Sequence, residues 1–553
     1  MNLAGALSNA MSGLQAAQSN IQLISSNISN AQTPGYSLET VTMTPKLLNG
    51  AGSGVQLGLA QRQINQTLAT NARNQDTAAN GASVANTYFQ EIQNLFGQVN
   101  DGSSLSDTYG NFTSALQTLS TTPDDQISQQ NVVATAGNLA SQLNSLSSGI
   151  QTIRASADGD ISNDVSAVNT ALQQIANYNQ QITHERAAGE PTAALEDQRD
   201  QALDQISKLM GVNALVRSND TMVVFTSTGQ VLVDGTSAQQ LSYTQSGAVT
   251  AQTPLSKVTL NGTDITGDIT TGAIGNLLNL RDTQLPNLTA ELNQFSVNLY
   301  NSAQVTSSTQ LVTVGGTPPA AGDTFSVSIN GGAAVTTAAL PANPTISDVV
   351  NAINTAIGAG TVTASVNGNN IVFTDTAGSN LNVSVTATVG GETFTGSTPN
   401  LPFHLFSGVN PAGPAPQDNA ATIAVNPTVA ATPSLLDGTS GNPDPSISQT
   451  LSNAITAVQS FAAAGNLGTA TNTTLSDYSS QIIGQVASAT SSASDNSTFQ
   501  STLQQQLAAR AADVSGVNID QEMAQLTVFQ NMYQASAQVL SAVQSMLDTL
   551  IKM

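Results

Sequence analysis

Residues 3–28 read LAGALSNAMSGLQAAQSNIQLISSNI. Leu3, Leu7, Ala10, Leu14, Ala17, Ile21, Ile24 and Ile28 recur at unbroken steps of four and three. That is the spacing of a helix laying one apolar seam against a partner helix. The far end mirrors it. Met523, Leu526, Gln530, Tyr533, Ala537, Leu540, Gln544, Leu547 and Ile551 form a second seam, with Phe529, Met532, Val539, Val543, Met546 and Leu550 in a row beside it. One neighbour cannot cover two rows, so the C-terminal helix is expected to touch at least two. Heptads ordinarily mark a plain two-helix core. Here each seam runs almost to a chain end, where domains normally fray. The simplest account is that the ends pair with each other and with copies in other subunits, which describes a building block rather than an enzyme. In a free monomer such ends are expected to be disordered, because a helix without a packed face is marginal in water.

Composition narrows the class. A chain of 553 residues is expected to hold several domains. With 12 Lys and Arg against 35 Asp and Glu, the formal charge is −23, a poor match for nucleic acid or anionic membrane. After Arg281 the next basic residue is Arg510. Cysteine is absent, which excludes disulfides, thiolate ligands and a cysteine nucleophile. No apolar run reaches membrane-spanning length. The first charged residue is Glu39, so the N-terminus lacks the basic region of a cleaved secretory signal, and export is expected to use another route.

The first helix should stop within Ser26-Asn27-Ile28-Ser29-Asn30-Ala31-Gln32-Thr33-Pro34-Gly35-Tyr36, where Pro34 fixes one corner of a turn and Gly35 supplies the other. Together with Met11-Ser12-Gly13-Leu14-Gln15-Ala16-Ala17-Gln18, this stretch resembles the N-terminal signature of bacterial flagellar rod, hook and hook-associated proteins. Leu38 stands where those proteins often carry Arg. The closing stretch, from Ser515-Gly516-Val517-Asn518 through Tyr533-Gln534-Ala535-Ser536-Ala537, resembles the C-terminus of the same family, with Asn518 as a helix cap followed by acids. Residues 195–209 (LEDQRDQALDQISKL) resemble a run typical of the hook-associated members and absent from rod and hook proteins.

Between the ends, Gln61 to Ile182 reads as successive antiparallel helices. Their faces are Val84 to Val99, Leu105 to Leu119, Val132 to Ile153 and Ile161 to Ile182. Gly211 is expected to close the helix of residues 195–209. Strands follow at 223–225, 231–233 and 258–260, the last with an Asn261-Gly262 hairpin turn. Helix returns from Ile274 to Val305, with Pro286 a candidate kink. Residues 306–440 are Gly- and Thr-rich, and their ββαββ-like pattern resembles the insertion modules of flagellins and filament-cap proteins. Helical faces resume at Leu451, Leu475 and Phe499.

Chemistry leaves few marks. His184 and His404 have no partner at metal or triad spacing. Asp158, Asp160 and Asp164 suggest a calcium loop, but Asn163 and Asn169 stand where an EF-hand needs Gly and a carboxylate, so a solvated helix junction is expected. Glu196, Asp197, Arg199, Asp200, Asp204 and Lys208 suit opposite-sign pairing on a helix surface or subunit contact. Phosphate loops, dinucleotide glycines and nucleophile elbows are missing.

The expected fold is mainly α with inserted β domains: terminal coiled-coil helices, a long antiparallel helical scaffold and outward β modules. The expected division is 1–45 plus 511–553 for assembly, 46–211 plus 275–305 plus 446–510 for the scaffold, 212–274 for a β segment and 306–445 for the outer insert. The assembly interface is assigned to Leu3, Leu7, Leu14, Ile21, Ile24, Ile28, Met523, Leu526, Tyr533, Leu540 and Leu547, with the turn Pro34, Gly35, Tyr36. No catalytic, metal or cofactor site is expected. The resemblance implies an extracellular structural adaptor ring at the junction of hook and filament, exported through the flagellar type III channel. It implies as partners copies of itself, hook protein, a second junction protein and a cytosolic export chaperone at the C-terminal helix. The alternatives are a hook or rod protein, or a secreted enzyme carried in the 306–440 insert.

Overall fold

A computed structural model describes residues 3–48, 51–98, 102–305, 309–368, 370–376, 381–396, 403–412, 417–439, 442–443 and 445–552. Helix α1 (Leu3–Asn30) ends at the expected turn. The chain then forms an antiparallel hairpin, β1 (Glu39–Leu48) and β2 (Ala51–Arg62). This corrects the expectation that helix begins at Gln61. Thr40, Thr42 and Thr44 alternate with Val41 and Met43 as a strand should, and Pro45 is accommodated beside a bulge in the ladder.

Four helices follow, the first three capped by a side chain. Asn65 accepts the Leu68 N–H at the head of α2 (Gln66–Phe96). Ser104 and Asp107 form a capping box on α3 (Leu105–Thr121). Asp125 accepts the N–H groups of Ile127 and Ser128 to open α4 (Gln126–Ala188), which closes on Gly189 at φ 81°. α5 is Ala193–Leu209. It ends on Met210 in extended backbone, so Gly211 is not the cap. A Cβ on Gly211 would lie 2.4 Å from Thr271 Oγ1, and close approach is its reason.

The two helices expected at 132–153 and 161–182 are one helix of 63 residues. Val132, Ala136, Leu139, Leu143, Leu146, Ile150 and Ile153 step by three and four, and so do Val165, Val168, Leu172, Ile175, Asn179 and Ile182. Between them Ile153, Ala157, Ile161 and Val165 step by four only. That stutter shifts the stripe around the helix without ending it. One charge at the stutter, Asp158, is buried instead of solvated, while Asp160 stays exposed. Asp158 is fully buried and paired with Arg281 at 2.9 Å, and Asp160 accepts the Tyr88 hydroxyl at 2.7 Å.

Strands β3 (Val212–Val216), β4 (Met222–Thr226), β5 (Val231–Asp234) and β6 (Ser237–Ala238) form one antiparallel sheet; β7 (Leu241–Ser242), β8 (Thr259–Leu260) and β9 (Thr263–Asp264) form another. Asn261 and Gly262 have φ of 51° and 82°, the turn expected from their sequence. Val224, Leu232, Val233, Val258 and Leu260 join the core along α4. α6 (Gly272–Asn279) continues through a π-helical turn, Leu280–Gln284, into α7 (Leu285–Ser302). The irregularity thus falls just before Pro286. It turns Arg281 to Asp158 and leaves the Arg281 carbonyl to accept Arg154 Nε at 3.2 Å.

The insert leaves and re-enters side by side. β10 (Gln304–Val305) pairs with residues 403–404, and between them lie β11 (Thr309–Gly316), β12 (Thr324–Ile329), β13 (Val335–Thr336), α8 (Ile346–Ile357), β14 (Val362–Asn367), β15 (Asn370–Asp375), β16 (Val383–Val389) and β17 (Glu392–Gly396). The sheets run β14-β15-β11-β17 and β13-β12-β16. Phe325, Val327, Val349, Ile353, Ile371 and Phe373 form a core separate from the main one.

The return leg carries β18 (Phe403–His404), β19 (Phe406–Ser407), α9 (Asn419–Thr422), β20 (Ala424–Val425), α10 (Pro427–Ala431), β21 (Gly438–Thr439) and β22 (Asn442–Pro443). Leu405, Phe406, Ile423, Val429 and Leu436 belong to the main core, with Phe406 edge-on to Phe112 at 5.8 Å between centroids. The expected 306–445 outer domain is therefore too long: its last part packs on the helices. α11 (Pro445–Thr456), β23 (Gln459–Phe461), β24 (Thr471–Thr473), α12 (Leu475–Ser515) and α13 (Ile519–Lys552) complete the chain. α12 runs antiparallel along α2: Thr490 donates to the Phe89 carbonyl at 3.0 Å and Gln75 to the Gln500 carbonyl at 3.0 Å.

Candidate assembly interface and its anchorage

The two ends meet within one chain. α1 and α13 pack antiparallel: Asn27 bonds Glu522 at one end, and further along a Cβ on Gly13 would lie 3.2 Å from Ser536 Oγ. Small residues set the approach, with Ala16 and Ala17 fully buried and Ala10 and Ile24 nearly so. The other side of α1 lies on β2, where Ser12 Oγ accepts the Val55 N–H at 3.2 Å. The expectation of ends without a partner in the monomer is thereby corrected: each is the other's partner.

The expected interface residues divide by exposure. Ile24 is buried, and Leu7, Leu14, Ile21, Ile28, Leu526, Leu540 and Leu547 are half-buried, while Met523 and Tyr533 are exposed. Leu3 lies in α1, but its side chain, like that of Leu550, is outside the described residues. The face of α13 turned to α1 is centred on Glu522, Phe529, Ser536, Leu540, Val543 and Leu547. On one flank Val528, Val539 and Met546 are 62%, 49% and 50% exposed. Met523, Tyr533 and Ile551 stand on the other flank, also exposed. One apolar helix thus has a covered middle and two bare edges. Met43, Leu47 and Leu59 add exposed apolar surface on the hairpin.

This terminal unit is tied to the body at one hub. Asn27, buried in the last turns of α1, donates from Nδ2 to Glu522 Oε2 at 2.9 Å and to the Glu39 carbonyl at 3.0 Å. Its Oδ1 accepts the Tyr36 hydroxyl at 2.8 Å and the Glu39 N–H at 3.3 Å. The Leu38 N–H donates to the Ser515 carbonyl at 2.8 Å, so that position joins the two termini through its backbone. Gly35 has φ 78°, and a Cβ there would lie 2.4 Å from Gln201 Nε2. Gln201 donates to the Pro34 carbonyl at 3.0 Å. Only glycine satisfies both demands.

The acidic run of α5 is the receiving surface. Ser37 donates from N and Oγ to Asp197 at 3.0 and 2.8 Å. Arg62, with its side chain 8% exposed, donates from Nε to Glu196 at 3.0 Å and from Nη1 to Asp197 and Asp200, each at 2.8 Å. Arg73 reaches Asp204 at 2.7 Å. Burial pushes the Glu196 carboxyl up, but the Thr192 hydroxyl and Arg62 outweigh it and hold the group below its ordinary value. Burial and the charge of Asp197 push Glu39 up, and burial pushes the Tyr36 phenol up. The expected pairing within α5 is corrected here: its carboxylates serve cations from β2 and α2, and Glu196 also takes Arg186 of α4 at 3.1 Å. Arg199 turns into the core, to Asn179 at 3.1 Å and the Asp220 carbonyl at 2.7 Å.

Arg62, Ser37, Asn27 and Glu522 escape a reading based on apolar periodicity. One signal was available: Gly13, Asn20 and Asn27 recur every seven residues beside the α1 seam, and both asparagines are buried. His184 is exposed, and His404 stacks on Tyr300 at 3.9 Å between centroids. Among the described residues, no group of three or more His, Cys, Asp or Glu side chains is arranged to hold a metal ion.

Three family models match the chain. "Flagellar hook-associated protein FlgK helical domain" covers residues 89–317, "Flagellar basal body rod FlgEFG protein C-terminal" residues 511–553 and "Flagella basal body rod protein" residues 7–36. The chain is 27% identical over 575 aligned positions to flagellar hook-associated protein 1 of Salmonella typhimurium, covering 99% of each. It is 27% identical over 301 positions to the Escherichia coli protein of that name, covering 53% of this chain and 55% of that one. A solved structure, the flagellar hook junction protein FlgK from Burkholderia pseudomallei, matches 80% of this chain and 99% of that chain at 17% identity and a TM-score of 0.47.

Proposed function

We propose that this chain, which belongs to the flagellar hook-associated protein 1 family, is the structural adaptor that joins hook to filament. It is a component of the bacterial flagellum. The observation that carries the adaptor reading is the terminal helix pair, covered along its middle and bare along both edges of α13. Copies arranged in a ring would bury those edges against one another, with α1 and α13 forming the inner tube. The neighbours would be hook protein below and a second junction protein above. Before export through the type III channel, a chaperone would cover the same apolar edges of α13. No catalytic step enters this role. The rival hook or rod reading is disfavoured by residues 89–317, which match the helical domain model of the hook-associated family.

The reading is tested by position. Antibody raised against the insert, residues 309–396, should decorate one narrow band at the boundary of hook and filament in electron micrographs. Label spread along the hook, or along the filament, would overturn it.

The division best supported has a terminal assembly unit of residues 3–62 with 515–552, a helical scaffold with its β segments, and an insert of residues 309–396. Separate apolar cores and the adjacent entry and exit strands β10 and β18 favour an insert that folds by itself. Replacing residues 306–400 by a short Gly/Ser linker should leave a soluble, helical protein and at least partial motility. An insoluble product, or loss of the helical circular dichroism signal, would make the insert integral to the scaffold.

A further inference from the structure

The insert holds a pair of carboxyls with which no cation among the described residues is paired. Asp323 and Glu392 are 7% and 5% exposed. Glu392 opens β17 opposite Gly316 at the end of β11, and Asp323 precedes Thr324, which lies opposite Val389 at the end of β16. Both therefore meet at the Gly390–Gly391 turn, where the chain crosses from one sheet of the insert to the other. Gly390 has φ +132°, and a Cβ built on it would lie 2.2 Å from Glu392 Oε2 and 3.0 Å from Asp323 Oδ1. The glycine leaves room for two carboxyls around one point. Asp323 Oδ2 accepts the Ala320 N–H at 2.6 Å. Both oxygens of Glu392 are buried and accept from no donor among the described residues, the Asp323 carboxyl being their hydrogen-bonding neighbour.

Two carboxylates so placed do not both remain ionised unless positive charge is supplied. Burial, then the Asp323 carboxyl, push the Glu392 group above its ordinary value. The chain offers no cation of its own: residues 282–509 contain no Lys or Arg, and residues 309–396 contain no His. The neutralising charge has to come from outside.

We propose that Asp323 and Glu392 form a divalent-cation site of the calcium class, which staples the two sheets of the insert together. All the donors are oxygen, the set that suits calcium or magnesium rather than zinc. Glu392 is free to bind through both oxygens and Asp323 through Oδ1. The Thr317 hydroxyl flanks the turn, with Oγ1 2.3 Å from a Cβ built on Gly391, and water completes the shell. A site with two carboxylates belongs at the weak end of protein calcium sites, with a Kd of about 10⁻⁴–10⁻³ M.

The test uses the full chain, stripped with chelator and titrated with calcium chloride at constant ionic strength by calorimetry and by thermal unfolding. A single calcium should bind in that range and raise the melting of the insert. Glu392→Gln and Asp323→Asn should each lose the saturable binding and the shift. Without calcium, Glu392→Gln should melt no lower than the wild type, because the repulsion is gone. A wild type that binds no calcium and is stabilised by acid alone would overturn the proposal, since the pair then only shares a proton. A calcium shift that persists in both variants would also overturn it, by assigning the effect to the diffuse acidic surface. Direct titration of the wild type decides the matter even if a variant fails to fold.

Discussion

Replacing Val539 and Met546 together by aspartate should leave the melting temperature of the monomer unchanged and abolish filament attachment. In the single chain these side chains are 49% and 50% exposed. The new charges stay in water, where surface substitutions move stability by no more than about 0.5 kcal/mol each. In a ring that packs the α13 edges together, each carboxylate would be buried or would have to be neutralised, at several kcal/mol per site by order of magnitude, and every subunit would repeat that cost. Leu540→Asp provides the contrast. Leu540 is half-buried on the face toward α1, so that change should lower monomer melting as well as assembly. Motile cells carrying the double variant would remove the bare edges of α13 from the interface. A large drop in monomer melting would mean that these residues are already covered.

Arg62→Ala should release the hairpin from the body. Its guanidinium serves Glu196, Asp197 and Asp200, and its removal leaves Asp197 and Asp200 facing each other without it, while Glu196 keeps Arg186 at 3.1 Å. Breaking a buried pair from one side costs about 3–5 kcal/mol. The lower end is expected, because Glu196 and Asp200 side chains keep 17% and 25% of their exposure. The loss should depend on pH with a definite sign. Glu196 is held below its ordinary value in the folded chain, so its contribution is present above the unfolded value of about 4.3. It disappears as pH falls through the lower folded value. Wild type and variant should therefore differ most near neutrality and converge in acid. Hydrogen exchange across residues 39–62 reads this directly, with faster exchange in the variant at neutral pH. Arg62→Lys should recover only part, since an ammonium lacks the planar fork that reaches three carboxylates. Unchanged exchange, or a difference that persists undiminished in acid, would remove Arg62 from the anchorage.

Elements whose physics is local were legible in the sequence. The seams of α1 and α13, the turn at Pro34 and Gly35, the Asn261-Gly262 turn and the ββαββ pattern of the insert all follow from spacing or from backbone preference. What escaped depends on partners distant in the chain. The stutter in α4 looks like a helix end until Arg281, more than a hundred residues away, is seen to pair with Asp158. The α5 carboxylates offer tidy pairs within their own helix, but Arg62 and Arg73 hold them from outside. Residues 405–436 read as part of a β-rich insert because their strands are short and rich in Gly and Pro. Only packing assigns Phe406 and Ile423 to the helical core. For α13 the heptad defines an apolar arc, and within the single chain the covered part of that arc is centred beside the seam, on Phe529, Ser536 and Val543. Periodicity defines a stripe, and the partner α1 decides which part of it is covered within the chain.

The most direct measurement is electron microscopy of cells that lack this chain, with the culture medium assayed for filament protein. A junction adaptor leaves the hook complete and removes the surface on which the filament starts. The expected result is finished hooks of normal length, no attached filaments and filament subunits shed into the medium. Filaments still attached to hooks, or hooks absent or truncated, would contradict the assignment and return the chain to the hook or rod.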